Sequence, residues 1–163
     1  MMLVLALPAA AAPSQDILTE APPPPAAAEL KPAEPGVIEL FREFALFGTF
    51  APECGQPPAP TNPHVSVRQQ DGNLVIEAHD VGPEYATNLY GVRAAKRLGK
   101  DRLEIKVVFA PSVEVEEFQT LELQVAKGTR RTLFNRVDGG AVRVKRGIAL
   151  ANRSKTPLLK RCE

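Results

Sequence analysis

Tryptophan is absent from this 163-residue chain, and only two histidines, two cysteines and two tyrosines are present. Each scarcity removes a class of chemistry. Neither Cys54 nor Cys162 belongs to a Cys-x-x-Cys pair, and only His64 and His79 could join them, so a Cys/His zinc centre is poorly supported. The two histidines flank the Asp71-Gly72 turn; on one side of that hairpin they could share an ion, but two His without an obvious third ligand rarely make a dedicated site. No glycine-rich phosphate cradle or nucleotide fingerprint occurs. Ser66, His79 and Asp80 lie close in sequence, yet no Gly-x-Ser-x-Gly elbow accompanies them. No catalytic residue, metal or cofactor is therefore expected, and the chain reads as non-enzymatic.

What is present begins with Met1-Met2-Leu3-Val4-Leu5-Ala6-Leu7-Pro8, which runs into an alanine tract. This run is too short to span a bilayer. It resembles the apolar core and small-residue cleavage site of a secretory signal, although the usual Lys/Arg-bearing leader is missing, with cutting expected after Ala11. Residues 1–11 are assigned to the signal, and a periplasmic or secreted location follows, in keeping with an Ala/Pro/Arg-rich, bacterial-type composition. Residues 12–36 carry Pro22-Pro23-Pro24-Pro25 and later prolines, which remove backbone donors and bias the chain to extended polyproline II. That segment reads as a disordered leader, with a spacer as the alternative.

Residues 37–163 are expected to form one domain. Val37, Leu40, Phe41 and Phe44 fall at helical spacing, and Gly48 is a natural stop for that short helix. Beyond an irregular proline-rich loop, strand signals follow closely. Val65 and Val67 alternate with polar neighbours, Asp71-Gly72 turns the chain, and Leu74, Ile76 and Ala78 continue one face. Tyr90, Val92, Ala94 and Leu98 alternate next. Leu103, Ile105, Val107 and Phe109 give the cleanest alternation, and Leu121, Leu123 and Val125 another, with a bulge expected near Glu117 and Gln119. Lys127-Gly128 and Asp138-Gly139-Gly140 mark two further turns. About seven or eight strands joined by tight turns, with no crossover helix, imply an all-β antiparallel up-and-down meander that closes into a barrel, with the short helix at its N-terminal side.

Within this layout Phe47-Gly48-Thr49-Phe50 resembles the Gly-x-Trp turn of the lipocalin/calycin group of small barrels, with Phe50 in the place of Trp. Thr87-Asn88-Leu89-Tyr90 loosely resembles their Thr-Asp-Tyr turn. The resemblance covers about residues 37–150. It implies a barrel that holds a small apolar molecule, and a late-strand arginine, Arg143 or Arg146, packed on the aromatic. A barrel of this size can equally be filled by its own side chains. A Cys54–Cys162 disulfide also suits the layout. In an exported protein the pair is expected to be bonded, and closing a loop of 108 residues would contribute about 4–5 kcal/mol; the alternative is two unrelated thiols.

Charge is segregated along the chain. Residues 127–163 carry eleven Lys and Arg against Asp138 and Glu163, a net +9 in a chain whose total is +1. Either these are solvated outward positions, paired with Glu114, Glu116, Glu117 and Glu122 (Glu122 with Arg131 or Arg136 across the hairpin), or they meet an anionic partner. Phe134 is the only aromatic there, so nucleic acid is not the expected partner.

Two readings follow. The first is a binding module for a small apolar or amphipathic ligand, held by Tyr90, Val92, Leu103, Ile105, Val107, Leu121 and Leu123, with Leu74 and Ile76 on a further inward row. The second is an envelope interaction or inhibitor protein with a filled barrel, contacting an anionic surface or protein through Arg143, Lys145, Arg146, Arg153, Lys155, Lys160 and Arg161. The tail from Lys155 is the expected free basic patch.

Overall fold

The computed structural model describes residues 31–109 and 117–163. The expected signal, the leader up to residue 30, and Glu114 and Glu116 lie outside the described residues. The folded part begins upstream of the expected boundary at residue 36. Ala33 is buried, its N–H donates to Asn73 O at 2.9 Å, and Glu34 N–H donates to Arg93 O at 2.8 Å.

Helix α1 spans Val37–Glu43 and buries Val37, Ile38 and Phe41. It stops before Gly48. Ala45 takes the left-handed conformation (φ 51°), Leu46 N–H donates to Phe41 O at 2.8 Å, and Ala45 N–H donates to Arg42 O at 3.0 Å. This is the paired hydrogen bonding of a Schellman stop, carried by an alanine at a cost of about 1 kcal/mol where glycine is usual. Gly48 instead opens the first strand. Its φ of 122° suits glycine alone, and the Arg161 guanidinium lies 3.6 Å from where a Cβ would stand.

The strands are β1 Gly48–Ala51, β2 His64–Gln70, β3 Leu74–Asp80, β4 Asn88–Arg97, β5 Arg102–Phe109, β6 Phe118–Ala126, β7 Thr129–Val137, β8 Val142–Lys145, β9 Ile148–Ala149 and β10 Leu159–Cys162. From β1 to β7 each pairs antiparallel with the next. The tail then closes the ring: Phe50 faces Arg161 across β1–β10, and Leu159 faces Arg130 across β10–β7. Eight strands make a closed barrel, while β8 and β9 extend from the far half of β7. The segment expected as a free basic patch is thus, from Leu159 onward, part of the barrel wall. Lys160 and Arg161 conceal this in the sequence, because a four-residue strand with two charges gives no hydrophobic run.

Inside, Val67, Val75, Val92, Leu103, Ile105 and Leu123 pack with Phe41, Phe44, Leu46 and Phe50 into one apolar core under α1. Three expected phases are corrected. In β3 the inward residues are Val75, Glu77 and His79, because Val67 faces Glu77 and Val65 faces His79. Leu74 and Ile76 therefore take the other face, and Ile76 is buried there outside the core. A one-residue choice of phase moves every side chain to the opposite face. In β4 a bulge between Val92 and Ala94 brings Ala95 to the core instead of Ala94, leaves Leu98 exposed, and lays Arg97 over the Phe44 ring at 4.6 Å, ion-paired with Glu43. From Phe118 onward β6 keeps its phase, with Gln119, Leu121 and Leu123 all inward, and the irregularity lies in β7, where Leu133 is the extra residue between Thr132, opposite Leu123, and Phe134, opposite Glu122.

The Cys54–Cys162 disulfide is present, with Cα atoms 5.4 Å apart. It ties the loop after β1 to the strand that closes the barrel. The double variant Cys54→Ser/Cys162→Ser is expected to lose about 4–5 kcal/mol, read as a lower urea midpoint. An unchanged midpoint would show that strand pairing alone holds β10 in place.

Candidate ligand-binding site

The hairpin turns at 71–73, 98–101 and 127–128 gather at the end of the barrel plugged by α1. Towards the other end the inward positions turn polar: Glu77 and His79 follow Val75, Tyr90 precedes Val92, and Gln119 precedes Leu121. A cavity of about 250 Å³ opens there.

Its floor is an ion pair. Arg130 donates to Glu77 through both terminal nitrogens, Nη2 to Oε1 at 2.9 Å and Nη1 to Oε2 at 3.2 Å. Both side chains are almost fully enclosed, at 3% and 2% exposure. His79 Nε2 lies 2.6 Å from Glu77 Oε1, and since an ionised carboxylate only accepts, this nitrogen carries the proton. The Arg130 guanidinium also stands over the Phe50 ring at 5.7 Å. The cation on the aromatic is therefore Arg130, rather than Arg143 or Arg146.

Burial alone would push the Glu77 carboxyl up. The charge of Arg130 and the hydrogen bond from His79 outweigh it and hold the carboxyl at about 2. Above the pair, the rings of His79, Tyr90 and Phe109 form a column, with centroids 4.9 and 5.2 Å apart. Burial pushes the Tyr90 phenol up, so near neutral pH its hydroxyl keeps its proton as a donor.

The β7 side of the cavity carries a polar chain. Asn135 Nδ2 donates to Gln119 Oε1 at 3.1 Å, Gln119 Nε2 donates to Glu117 Oε1 at 2.7 Å, and Arg143 pairs with the same carboxylate at 3.3 Å. Asn135 Oδ1 is buried without a partner. Arg131 Nε donates to Thr156 Oγ1 and its Nη2 to Gly147 O, each at 3.1 Å. This wall lies where β7 exchanges one neighbour for another, pairing with β10 at Arg130 and with β8 from Phe134.

The expected ligand residues divide between core and cavity. Tyr90, Val107 and Leu121 line the cavity. Val92, Leu103, Ile105 and Leu123 are fully buried in the core beneath α1. The expected basic set is dispersed. Arg143 lines the cavity. Lys145 and Arg146 edge a separate outer groove beside Arg102 and Phe134. Lys160 pairs with Glu53, Arg161 donates to Ala45 O, and Arg153 and Lys155 are exposed between β9 and β10. Glu122 pairs with Arg102 across β5, not with Arg131 or Arg136, because the bulge sets it opposite Phe134.

His64 and His79 do not meet. Val65 faces His79 on the inner side of the β2–β3 hairpin, so His64 lies on the other face, where it bonds Gln56 O and Asn62. Ser66 is likewise outside, bonded to Thr49. Among the described residues no three His, Cys, Asp or Glu side chains converge as a metal site.

No family model, curated protein or solved structure matches the chain.

The Glu77–Arg130 pair gives a test of this interior. The unfolded carboxyl titrates near 4.5 and the folded one at about 2. Protons bind the unfolded chain first, so the contribution is complete above about pH 5 and is lost as pH falls towards 2. Its size is about 3 kcal/mol. Glu77→Gln strands Arg130 in the interior and is expected to cost about 3–5 kcal/mol at pH 7, whereas Glu77→Leu/Arg130→Met should recover most of that loss. Urea midpoints at pH 7 and pH 3 check both. A pH-independent difference between wild type and the double variant would remove the pair from the stability account.

Proposed function

We propose that this protein is an exported, non-enzymatic binding barrel that takes up a small amphipathic molecule in the cavity above the Glu77–Arg130 pair. The observation that carries the reading is the division of the interior. One end is solid with apolar side chains and α1. The other keeps about 250 Å³ unfilled, between apolar walls at Val65, Val107, Leu121 and Leu159 and the polar groups of β3, β4 and β7. A barrel of eight strands is just wide enough to be filled by its own side chains or to hold one small ligand.

Supporting an exported location are the disulfide and the signal-like apolar start. No helix among the described residues is long and apolar enough to cross a membrane. The resemblance to lipocalin-like barrels, carried by Gly48-Thr49-Phe50, points the same way. Contact with an anionic envelope surface is the second reading. It is the less supported one, because the basic side chains are spread over several faces and the end of the tail is occupied in the barrel wall.

Native mass spectrometry of the protein purified from its own host tests the proposal. A reproducible bound small molecule is expected with wild type, and its loss is expected in Leu121→Trp, where the larger side chain fills the cavity. A bare wild-type polypeptide would count decisively against the carrier.

A further inference from the structure

We infer that the cavity takes a neutral guest of the alcohol or primary amide class, which donates a hydrogen bond to Asn135. The inference rests on the carrier reading and adds the chemistry of the ligand. Asn135 faces Leu121 across β6–β7, and both line the cavity. Its amide is the last link of a chain whose direction is fixed from the other end. Arg143 holds the Glu117 carboxylate at 3.3 Å, and an ionised carboxylate only accepts, so Gln119 must present Nε2 to it, at 2.7 Å. That leaves Gln119 Oε1 to accept, so Asn135 must turn Nδ2 towards it, at 3.1 Å. The one atom of this chain left over is Asn135 Oδ1, which is buried and has no hydrogen-bond partner.

A buried oxygen of this kind is rarely left without a donor. A carboxylate or an ether cannot supply one, whereas a hydroxyl or an amide N–H can. Oδ1 is closed off from bulk water, so solvent does not satisfy it, and a small side-chain movement brings it to a guest lying against Asn135. Net charge on the guest is disfavoured, because the charges of the inner wall already pair off, Arg130 with Glu77 and Arg143 with Glu117. Arg131, the residue after inward Arg130, turns to the outer face of β7 and is occupied with Thr156 and Gly147. The Tyr90 hydroxyl lines the cavity, makes no hydrogen bond among the described residues and keeps its proton, so it can donate to the oxygen of a guest. Alcohols and primary amides offer both kinds of group, a donor for Asn135 and an acceptor for Tyr90.

The remaining walls set the length of the guest. At roughly 30 Å³ for each water-sized group, the cavity takes about eight heavy atoms. Val65, Val107, Leu121 and Leu159 would hold an alkyl chain of that size.

Isothermal titration of the full chain with 1-heptanol, 1-methoxyhexane, heptylamine and hexanoate, matched in heavy atoms, tests the inference. 1-Heptanol is expected to bind roughly tenfold more tightly than the ether, the effect of one hydrogen bond to a buried acceptor, and more tightly than either ion. In Gln119→Leu/Asn135→Leu, which removes both amides and strands neither, the advantage of 1-heptanol over the ether should disappear. Equal binding of 1-heptanol and the ether by wild type would overturn the donor while leaving the carrier intact. Tighter binding of heptylamine or hexanoate would overturn the neutral guest. Failure of all four probes would remove both readings. The wild-type series decides these outcomes without a variant, so poor folding of the double variant would not blur them.

Discussion

The structure depends on how β7 shares one edge between two partners. Its first residues pair with β10, which returns to β1 and closes the ring; its last residues pair with β8, which leads away from it. A meander of seven strands leaves two open edges, and each would expose a row of unpaired backbone groups. The four residues Leu159–Cys162 cover the β1 edge and the start of the β7 edge together, and the disulfide holds them there. The same division leaves the seam at Arg131–Leu133 to be bridged by other means: Gly147 N–H donates to Leu133 O, and Arg131 and Thr156 tie the loops across it.

The second organising element is the Glu77–Arg130 pair, which joins β3 to β7 through the middle of the barrel. A buried charge pair is weak evidence for stability in itself, because desolvation can offset its attraction. What it does here is divide the interior. The groups on its α1 side are apolar and tightly packed. Those on the other side are polar and leave space. Phe50 beneath the guanidinium joins the two halves.

The barrel, its up-and-down order, the helix and the disulfide were legible in the sequence because each has a local signature: period-two alternation in Leu103–Phe109, turn dipeptides at Asp71-Gly72 and Lys127-Gly128, and a lone pair of cysteines. The cavity was not. Glu77 sits among Leu74, Val75, Ile76 and Ala78, and alternation there favours the apolar phase, so the charged residue reads as outward. Only the register with Val65 and Val67 reverses that, and register is a property of two strands. Gln119 reads as an interruption of an inward face for the same reason. Arg130 is one of eleven similar cations in its segment, and nothing nearby in sequence distinguishes the buried one. Its partner is 53 residues away. The bulge in β4 defeated periodicity for a related reason, since it shifts the phase within that strand at Arg93 without a glycine to mark it.

The backbone bonds of Ala33 and Glu34 give the barrel a direction. They fasten the incoming chain to the β2–β3 turn and to β4, beside the helix and on the side away from His79 and Tyr90. Anything connected through the preceding residues is therefore joined to the solid base. The cavity then faces outward like the bowl of a cup held by its foot, and a tether at that position would leave its access free.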